Sequence, residues 1–371
     1  MPTDPFIATL THTLLWAGFG IGILFGATAQ LTRFCTMGAI ADWVNFADAT
    51  RLRMWTWAVL VAVLGTQSLI AFGGLDLGAS LYAGRRIALV SLSVGGLLFG
   101  AGMVLASGCP SRALVRAGAG NLKALVVLLV VGLAAQMTLR GALAAPRVDG
   151  LDAFAVLLQG PQDLPSWLSR ASDLAPGWVR AGLCAALAVP LLVWLARSAE
   201  FRRPGPLIGG ALIGVLVILA WWVSGSVGFL PEHPETLEPT WLATGSRRPE
   251  ALSFVAPTAS LLNLLTLWSD RGTRLDFGTA TLLGTLAGAM LVALGRREFR
   301  WEGFGGPRDL AQHLIGALLM GVGGVTALGC SVGQGLSGLS VLSAGSMIAV
   351  AAIAAGAWLA LRYQTWVIDR N

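Results

Sequence analysis

Three of the four cysteines in this chain lie at the same position of a repeated segment. Cys35, Cys109 and Cys330 each follow, by nine residues, the last glycine of a similar apolar stretch. A thiol donates a weak hydrogen bond, and its thiolate is a nucleophile and a metal ligand. Helix packing alone gives no reason for three thiols in one register, so we predict that they share a chemical role.

Other parts of the chain match the repeat less well. A fourth, weaker copy begins at Gly210 and reaches Val223 at the position where a thiol would stand. Cys184 belongs to no copy, and a lone cysteine in an apolar helix is usually a small buried hydrophobe. We therefore leave Cys184 out of the predicted site.

The residues around the thiols predict the starts of short helices. Pro110 directly follows Cys109, and proline is favoured in the first turn of a helix. Gly108 and Gly329 directly precede two of the thiols and would allow the chain to break between two helical pieces. Free N–H groups and the positive end of the dipole at such helix N-termini suit a small anion.

Two arginines flank the thiols. Arg33 precedes Cys35 by two residues, and Arg112 follows Cys109 by three. These arginines fit a role in attracting an anion, and they equally fit the excess of basic residues on the inner side of a membrane. The sequence leaves both interpretations open.

The composition predicts an all-α polytopic membrane protein. The chain of 371 residues is 55% hydrophobic and 12% charged, with a mean hydropathy of +0.73. Apolar stretches as long as a membrane-crossing helix recur along it. The segment 254–268 is apolar but short, which predicts a re-entrant or interfacial piece. We predict about nine transmembrane helices, near 8–30, 54–74, 88–107, 122–142, 179–197, 206–228, 276–295, 310–328 and 340–361.

The basic residues predict the orientation of these helices. With the N-terminus outside and the C-terminus inside, most lysines and arginines fall in inner loops. The long loops near 143–178 and 229–252 then lie outside and carry most of the carboxylates. The net charge of +6 reflects the inner face and predicts no nucleic-acid partner.

Equivalent copies of the repeat would then cross the membrane in opposite directions, since 97–109 runs inward and 318–330 runs outward. Such inverted-topology repeats are typical of transporters whose site lies where the repeats meet. We predict a first half at 1–160, an outer linker at 161–174 and a second half at 175–371, within one integral-membrane domain. Paired glycines four residues apart predict close helix contacts, at Gly22/Gly26, Gly96/Gly100, Gly210/Gly214 and Gly284/Gly288.

Several functional classes lack their sequence signatures. The chain has no P-loop, no dinucleotide fingerprint and no CxxC pair, and its three histidines are scattered. We therefore expect no cofactor, no metal and no enzymatic activity.

The three cysteine motifs together resemble those of the YeeE/YedE sulfur-transport family. The motifs are Arg33-Phe-Cys35-Thr-Met-Gly38, Gly108-Cys109-Pro-Ser111-Arg112 and Gly329-Cys330-Ser331-Val-Gly-Gln334. The resemblance implies an hourglass-shaped inverted repeat in a bacterial cytoplasmic (inner) membrane. It further implies import of thiosulfate, passed between the three thiols by S–H···S contacts. By motif match, Cys35, Cys109 and Cys330 would be those thiols. Ser111, Ser331 and Gln334 lie in the same motifs and, with Arg33 and Arg112, are candidates to attract the anion or line the pathway. The family also implies a small cytosolic sulfur-carrier protein of the TusA type as a candidate partner.

Two alternatives remain at the level of sequence. The same motifs would serve a transporter of another small sulfur or selenium species, such as sulfide, polysulfide or a selenium compound. A membrane thiol oxidoreductase would use paired cysteines, and it predicts a disulfide between two of the thiols under mild oxidation. The absence of a CxxC pair argues against the oxidoreductase.

Overall fold

The computed structural model describes residues 5–234, 237–270 and 272–370. These residues are mainly helical, with two short antiparallel strand pairs, β1 (Arg86–Ile87) with β2 (Val156–Leu157) and β3 (Phe229–Leu230) with β4 (Thr240–Trp241). The α-helices are α1 Pro5–Thr32, α2 Thr36–Phe46, α3 Thr50–Ala71, α4 Leu89–Leu105, α5 Pro110–Gly118, α6 Leu122–Leu139, α7 Leu164–Ser172, α8 Pro176–Ala196, α9 Pro204–Trp222, α10 Val255–Thr266, α11 Phe277–Gly295, α12 Pro307–Thr326 and α13 Ala344–Arg370.

The predicted spans coincide with long helices, namely α1, α3, α4, α6, α8, α9, α11, α12 and α13. Eight helical stretches of the described residues are long and apolar enough to cross a membrane. Helix α12 is not among the eight, and its first turns carry Arg308, Asp309 and His313. Helix α10 has 12 residues and matches the short apolar segment. The prediction of an all-α polytopic membrane protein is confirmed.

Four units of long helix, short helix and long helix follow one another along the chain. Helices α1–α2–α3, α4–α5–α6 and α9–α10–α11 form three of them. In the fourth unit, α12 and α13 flank a short helical segment, 331–340, which contains a π-helical turn at Gly333–Gly338. Helices α7 and α8 lie between the second and third units, and α7 falls within the predicted linker. The short element of each unit is therefore held between two long helices.

The long helices pair across the units. Helix α1 packs along α11, α3 along α9, α6 along α12, and α4 along both α12 and α13. A β-carbon on Gly26 would collide with the carbonyl oxygen of Thr285, and one on Gly288 with that of Ile23. Backbones can approach this closely only where side chains are absent. The close contacts predicted from glycine spacing are confirmed for all four pairs, Gly22/Gly26, Gly96/Gly100, Gly210/Gly214 and Gly284/Gly288.

The loops form two groups by their mutual contacts. In one group, the start of α6 meets the start of α12, where Lys123 Nζ lies 3.0 Å from the carboxylate of Asp309. In the other, the loop before α7 meets the loop before α13, where the Leu164 N–H donates to the Leu342 carbonyl at 3.0 Å. The first group consists of loops predicted to be inner and the second of loops predicted to be outer. Which group faces the cell interior stays a prediction.

Candidate functional site: a cluster of buried thiols

Each of the three thiols lies at the N-terminal end of a short helical segment. Cys35 precedes α2, Cys109 precedes α5, and Cys330 precedes the segment 331–340. Cys35 Sγ accepts a hydrogen bond from the Gly38 N–H at 3.3 Å, and Cys330 Sγ accepts one from the Gly333 N–H at 3.3 Å. These sulfur atoms occupy the capping position in which an oxygen is usual. The predicted placement of the thiols at helix starts is confirmed.

The break before each thiol has a common backbone geometry, which the glycines of the sequence indicate only in part. The backbone is left-handed two residues before each thiol, at Arg33 (φ 55°), Ser107 (φ 56°) and Leu328 (φ 57°). Gly108 has a φ of 155°, a backbone conformation that residues with a β-carbon rarely adopt, as expected for a glycine at the break, whereas Gly329 has no such positive φ. Left-handed backbone is unfavourable for residues with a β-carbon. The same strained turn recurs in three units, so the surrounding helices impose it.

The thiols are neighbours in series. Cys109 is 1% exposed, and its thiol interacts directly with that of Cys35. Cys109 also interacts electrostatically with Cys330, which is likewise 1% exposed. All four cysteines of the chain are free thiols. Thiols from three different units, in both predicted halves, therefore form one buried group, called the thiol row below, in which Cys109 is the member that interacts with both of the others.

Polar side chains named in the sequence analysis surround this row. Ser111 Oγ lies 3.2 Å from Cys109 Sγ, and the Ser331 hydroxyl also adjoins that thiol. Gln334 is 2% exposed and donates its Nε2 hydrogen to the Ala327 carbonyl at 2.6 Å. Its Oε1 is buried without a hydrogen-bond partner among the described residues. The structure thus brings all three predicted polar residues to the thiols or next to them.

The two arginines differ in position. Arg112 is half-buried and interacts with both Cys35 and Cys109, and its Nη1 is buried without a hydrogen-bond partner in the described part of the chain. Arg33 is exposed in the left-handed turn that follows α1. Arg112 is therefore placed to meet an anion at the thiols, whereas the position of Arg33 is that of a surface residue.

Two residues of the site carry no signal in the sequence. Tyr82 comes from the loop between α3 and α4, is buried and lies near Cys330, and burial raises the pKa of its phenol so that the O–H stays protonated. Phe254 precedes α10, and its backbone N–H faces the Cys330 thiol. Both reach the site through long-range packing, which local patterns do not reveal.

The position of Phe254 corrects the expectation for the fourth copy of the repeat. Val223 was expected where the fourth thiol would stand, but the chain continues there into a π-helical turn at Val223–Val227 and then the strand pair β3–β4. The short helix of this unit begins only at Val255, so Phe254 occupies the place that a cysteine holds in the other units. Because this unit contains an insertion before its short helix, an alignment of the copies without gaps cannot place Phe254 at the cysteine position.

The insertion between α9 and α10 is anchored by a carboxylate. Glu250 Oε1 accepts a hydrogen bond from the Ser246 N–H at 2.8 Å, and the Ser224 hydroxyl donates to the Glu250 carbonyl. Burial of the carboxyl group, with Asp276 nearby, raises the pKa of Glu250 to about 7. This loop leads directly into Phe254, so Glu250 supports one wall of the thiol cluster.

Cys184 lies apart from the cluster. It is on α8, which packs against α3 and α7 at the side of the bundle. Its side chain is half-buried. The structure separates this cysteine from the other three, in agreement with its exclusion from the repeat.

The helices and the buried row of thiols define a multi-pass helical membrane protein with a polar site inside its bundle. The sequence model described as "Sulphur transport" matches residues 31–359. The chain belongs to this sulphur transport family. It is similar to the thiosulfate transporter TsuA of Escherichia coli K12, with 25% identity over 379 residues, covering 96% of this chain and 95% of that protein. It is also similar to the thiosulfate transporter TsuA of Spirochaeta thermophila, with 26% identity over 368 residues, covering 96% of this chain and all of that protein.

Proposed function

We propose that this protein imports thiosulfate through a pathway that runs along the row of thiols. The observation that carries the proposal is the row itself, in which Cys35, Cys109 and Cys330 are buried neighbours at the starts of three helical segments. Membership of the sulphur transport family and the similarity to two thiosulfate transporters support this substrate.

The chemistry of the site suits a small sulfur-containing anion. Helix N-termini attract negative charge, and two α-helices and a third helical segment direct theirs to this cluster. A protonated thiol donates a hydrogen bond to the terminal sulfur of thiosulfate, whereas a thiolate would repel the dianion. Several weak sites in a row allow the anion to leave as readily as it enters. The thiols therefore act as a relay of contacts, with no covalent step.

The surroundings suggest an order along the pathway. A small cavity beside Cys330 is lined by Tyr82, Arg86 and Gln334, and Arg86 belongs to the loops predicted to be outer. At the other end of the row, Cys35 lies beside Arg112. The anion would pass from the cavity to Cys330, then to Cys109 and Cys35, and leave on the side predicted to be inner.

The pairing of the helices supports two equivalent halves. Exchanging α1 with α9, α3 with α11, α4 with α12 and α6 with α13 turns the contact α1–α11 into α9–α3. The same exchange turns α4–α13 into α12–α6, and all four contacts occur. This relation fits the proposed halves at 1–160 and 175–371 with inverted topology. A bacterial inner membrane and a TusA-like carrier that receives the sulfur on the cytosolic side complete the proposal.

Uptake of radiolabelled thiosulfate by cells stripped of their own sulfur importers tests this function. The wild type is compared with a Cys35/Cys109/Cys330→Ser triple variant at equal abundance in the membrane. We expect uptake by the wild type alone. Equal uptake by both would keep the substrate and overturn the relay. No uptake by either would overturn thiosulfate as the substrate and favour sulfide or a selenium species.

A further inference from the structure

Two arginines from separate elements stand beside Cys35, the thiol on the side predicted to be inner. Arg51 lies in the first turn of α3. A β-carbon built on Gly38 would lie 2.7 Å from Arg51 Nη1 and 3.7 Å from Cys35 Sγ. Arg112 comes from α5 and interacts electrostatically with both Cys35 and Arg51. Two positive charges therefore meet at the last thiol of the proposed pathway.

One amino group of Arg112 is unpaired. Its Nη1 is buried without a hydrogen-bond partner among the described residues. Two other arginines, Arg51 and Arg116, repel its charge. A charge that is partly buried inside a membrane protein is costly unless it has a partner, and such charges often mark the path of a substrate. The guanidinium beside the thiols therefore indicates a place that a mobile anion occupies during transport.

Arg51, unlike Arg112, has a counterion. Its Nε lies 3.2 Å from Oδ2 of Asp42, and both side chains are partly exposed. Gly38 and Asp42 are four residues apart on α2, so they lie on the same face of that helix. The guanidinium of Arg51 therefore lies along this face, with Nε at Asp42 and Nη1 towards Cys35. The carboxylate and an anion at Cys35 would compete for the same arginine.

We propose that Arg51 and Arg112 form the exit site of the pathway, and that Asp42 promotes release of the anion by competing for Arg51. The exit site rests on the proposed function and adds the residues that determine how fast the anion leaves. While the anion is at Cys35, Arg51 donates hydrogen bonds to it. When Asp42 pairs with Arg51 again, only Arg112 still holds the anion. The ion pair thus keeps the exit site weak, as permeation requires.

Initial rates of radiolabelled thiosulfate uptake by cells stripped of their own sulfur importers test the exit site, with KM and maximal rate measured separately at equal abundance in the membrane. Asp42→Asn removes the competing charge, whereas Asp42→Glu keeps it and serves as its control. Arg51→Gln removes the arginine for which the carboxylate and the anion compete. Arg53→Gln is the matched control on α3, because the Arg53 guanidinium lies over the ring of Trp194 on α8, 5.0 Å from its centroid.

Release should be the slowest step, because the exit site is the last position in the pathway and has two arginines. We therefore expect Asp42→Asn to lower KM and the maximal rate together by about two- to fivefold, the range for loss of a partly exposed ion pair. Arg51→Gln should raise both values, and Asp42→Asn should have no further effect in that background. Asp42→Glu and Arg53→Gln should match the wild type.

Three results would overturn the exit site while leaving thiosulfate transport intact. These are an Asp42→Asn protein that transports like the wild type, a lower maximal rate at an unchanged KM, and an effect of Asp42→Asn that persists without Arg51. A wild type without thiosulfate uptake would overturn both the exit site and the proposed function.

Discussion

Removal of the central thiol gives the sharpest test of the relay. Cys109 is the member of the row that interacts with both Cys35 and Cys330. In Cys109→Ala, an anion moving between the outer two thiols loses its contact at the middle of the path. Because Cys109 is almost fully buried, water cannot replace the missing donor.

The size of the effect follows from the neighbours of Cys109. A hydrogen bond to a charged group contributes about 1.5–3 kcal/mol. Ser111 Oγ lies 3.2 Å from the missing sulfur, and the Ser331 hydroxyl adjoins the same place, so both can still donate to the anion. We therefore expect the lower end of the range, about 1.5 kcal/mol in the barrier, which is a roughly tenfold slower rate.

The assay is the initial rate of thiosulfate uptake into liposomes, normalised to the amount of inserted protein. Cys184→Ala is the matched control, because Cys184 lies on α8 away from the row, and its rate should equal that of the wild type. Cys109→Ser should fall between Cys109→Ala and the wild type, since a hydroxyl can donate but reaches less far. A Cys109→Ala protein that transports at the wild-type rate would refute the reasoning at its central step.

Three further predictions concern the thiol row, the contact between α1 and α11, and Glu250. Because the thiols of Cys35 and Cys109 are direct neighbours, mild oxidation should join them in a disulfide in a transporter as well as in an oxidoreductase. In the transporter this disulfide should stop thiosulfate uptake until a reductant is added, and continued uptake with the disulfide shown by mass spectrometry would contradict the pathway. Gly26→Ala should lower the thermal unfolding midpoint in detergent, because the new β-carbon would collide with the Thr285 backbone and overpacking costs about 1–3 kcal/mol. An unchanged midpoint would contradict the close contact, since it would mean that α1 and α11 move apart at no cost. Burial raises the pKa of Glu250 to about 7, above its value in the unfolded chain, so the folded protein holds its proton up to a higher pH than the unfolded chain does. The protein should therefore lose up to about 2 kcal/mol of stability as the pH rises from 5 to 8. In Glu250→Gln this loss should be absent, and equal pH slopes for variant and wild type would contradict the assignment.

The long helices and the thiols could be predicted from the sequence because their signals are local. Apolar stretches give the positions of the helices, and a proline after Cys109 gives the start of α5. The spacing of Gly22 and Gly26 gives the face of α1 that meets α11. Each of these signals lies within one or two helical turns of the residues it describes.

The rest of the site comes from contacts between distant parts of the chain. Tyr82 lies near Cys330 although it comes from the loop between α3 and α4, far from Cys330 along the chain. Phe254 reaches Cys330 only after an insertion whose length no repeat pattern fixes. The left-handed residues before the thiols are not glycines, so the usual marker of such a turn is missing. No local pattern carries this information.

The glycine contacts also limit how the molecule can move. They join α1 to α11, α3 to α9 and α4 to α13, and so they connect the first half of the chain to the second along three helix pairs. Backbones in direct contact cannot slide or roll without driving a β-carbon into a carbonyl group. A cycle in which one half rocks against the other would have to separate all of these helix pairs. Only side chains then need to move during transport, and they move faster than helices do. Unlabelled substrate on the opposite side of the membrane accelerates uptake when it returns an alternating carrier to its starting conformation. Because no such conformational cycle is needed here, the protein should show no acceleration of uptake by counterflow.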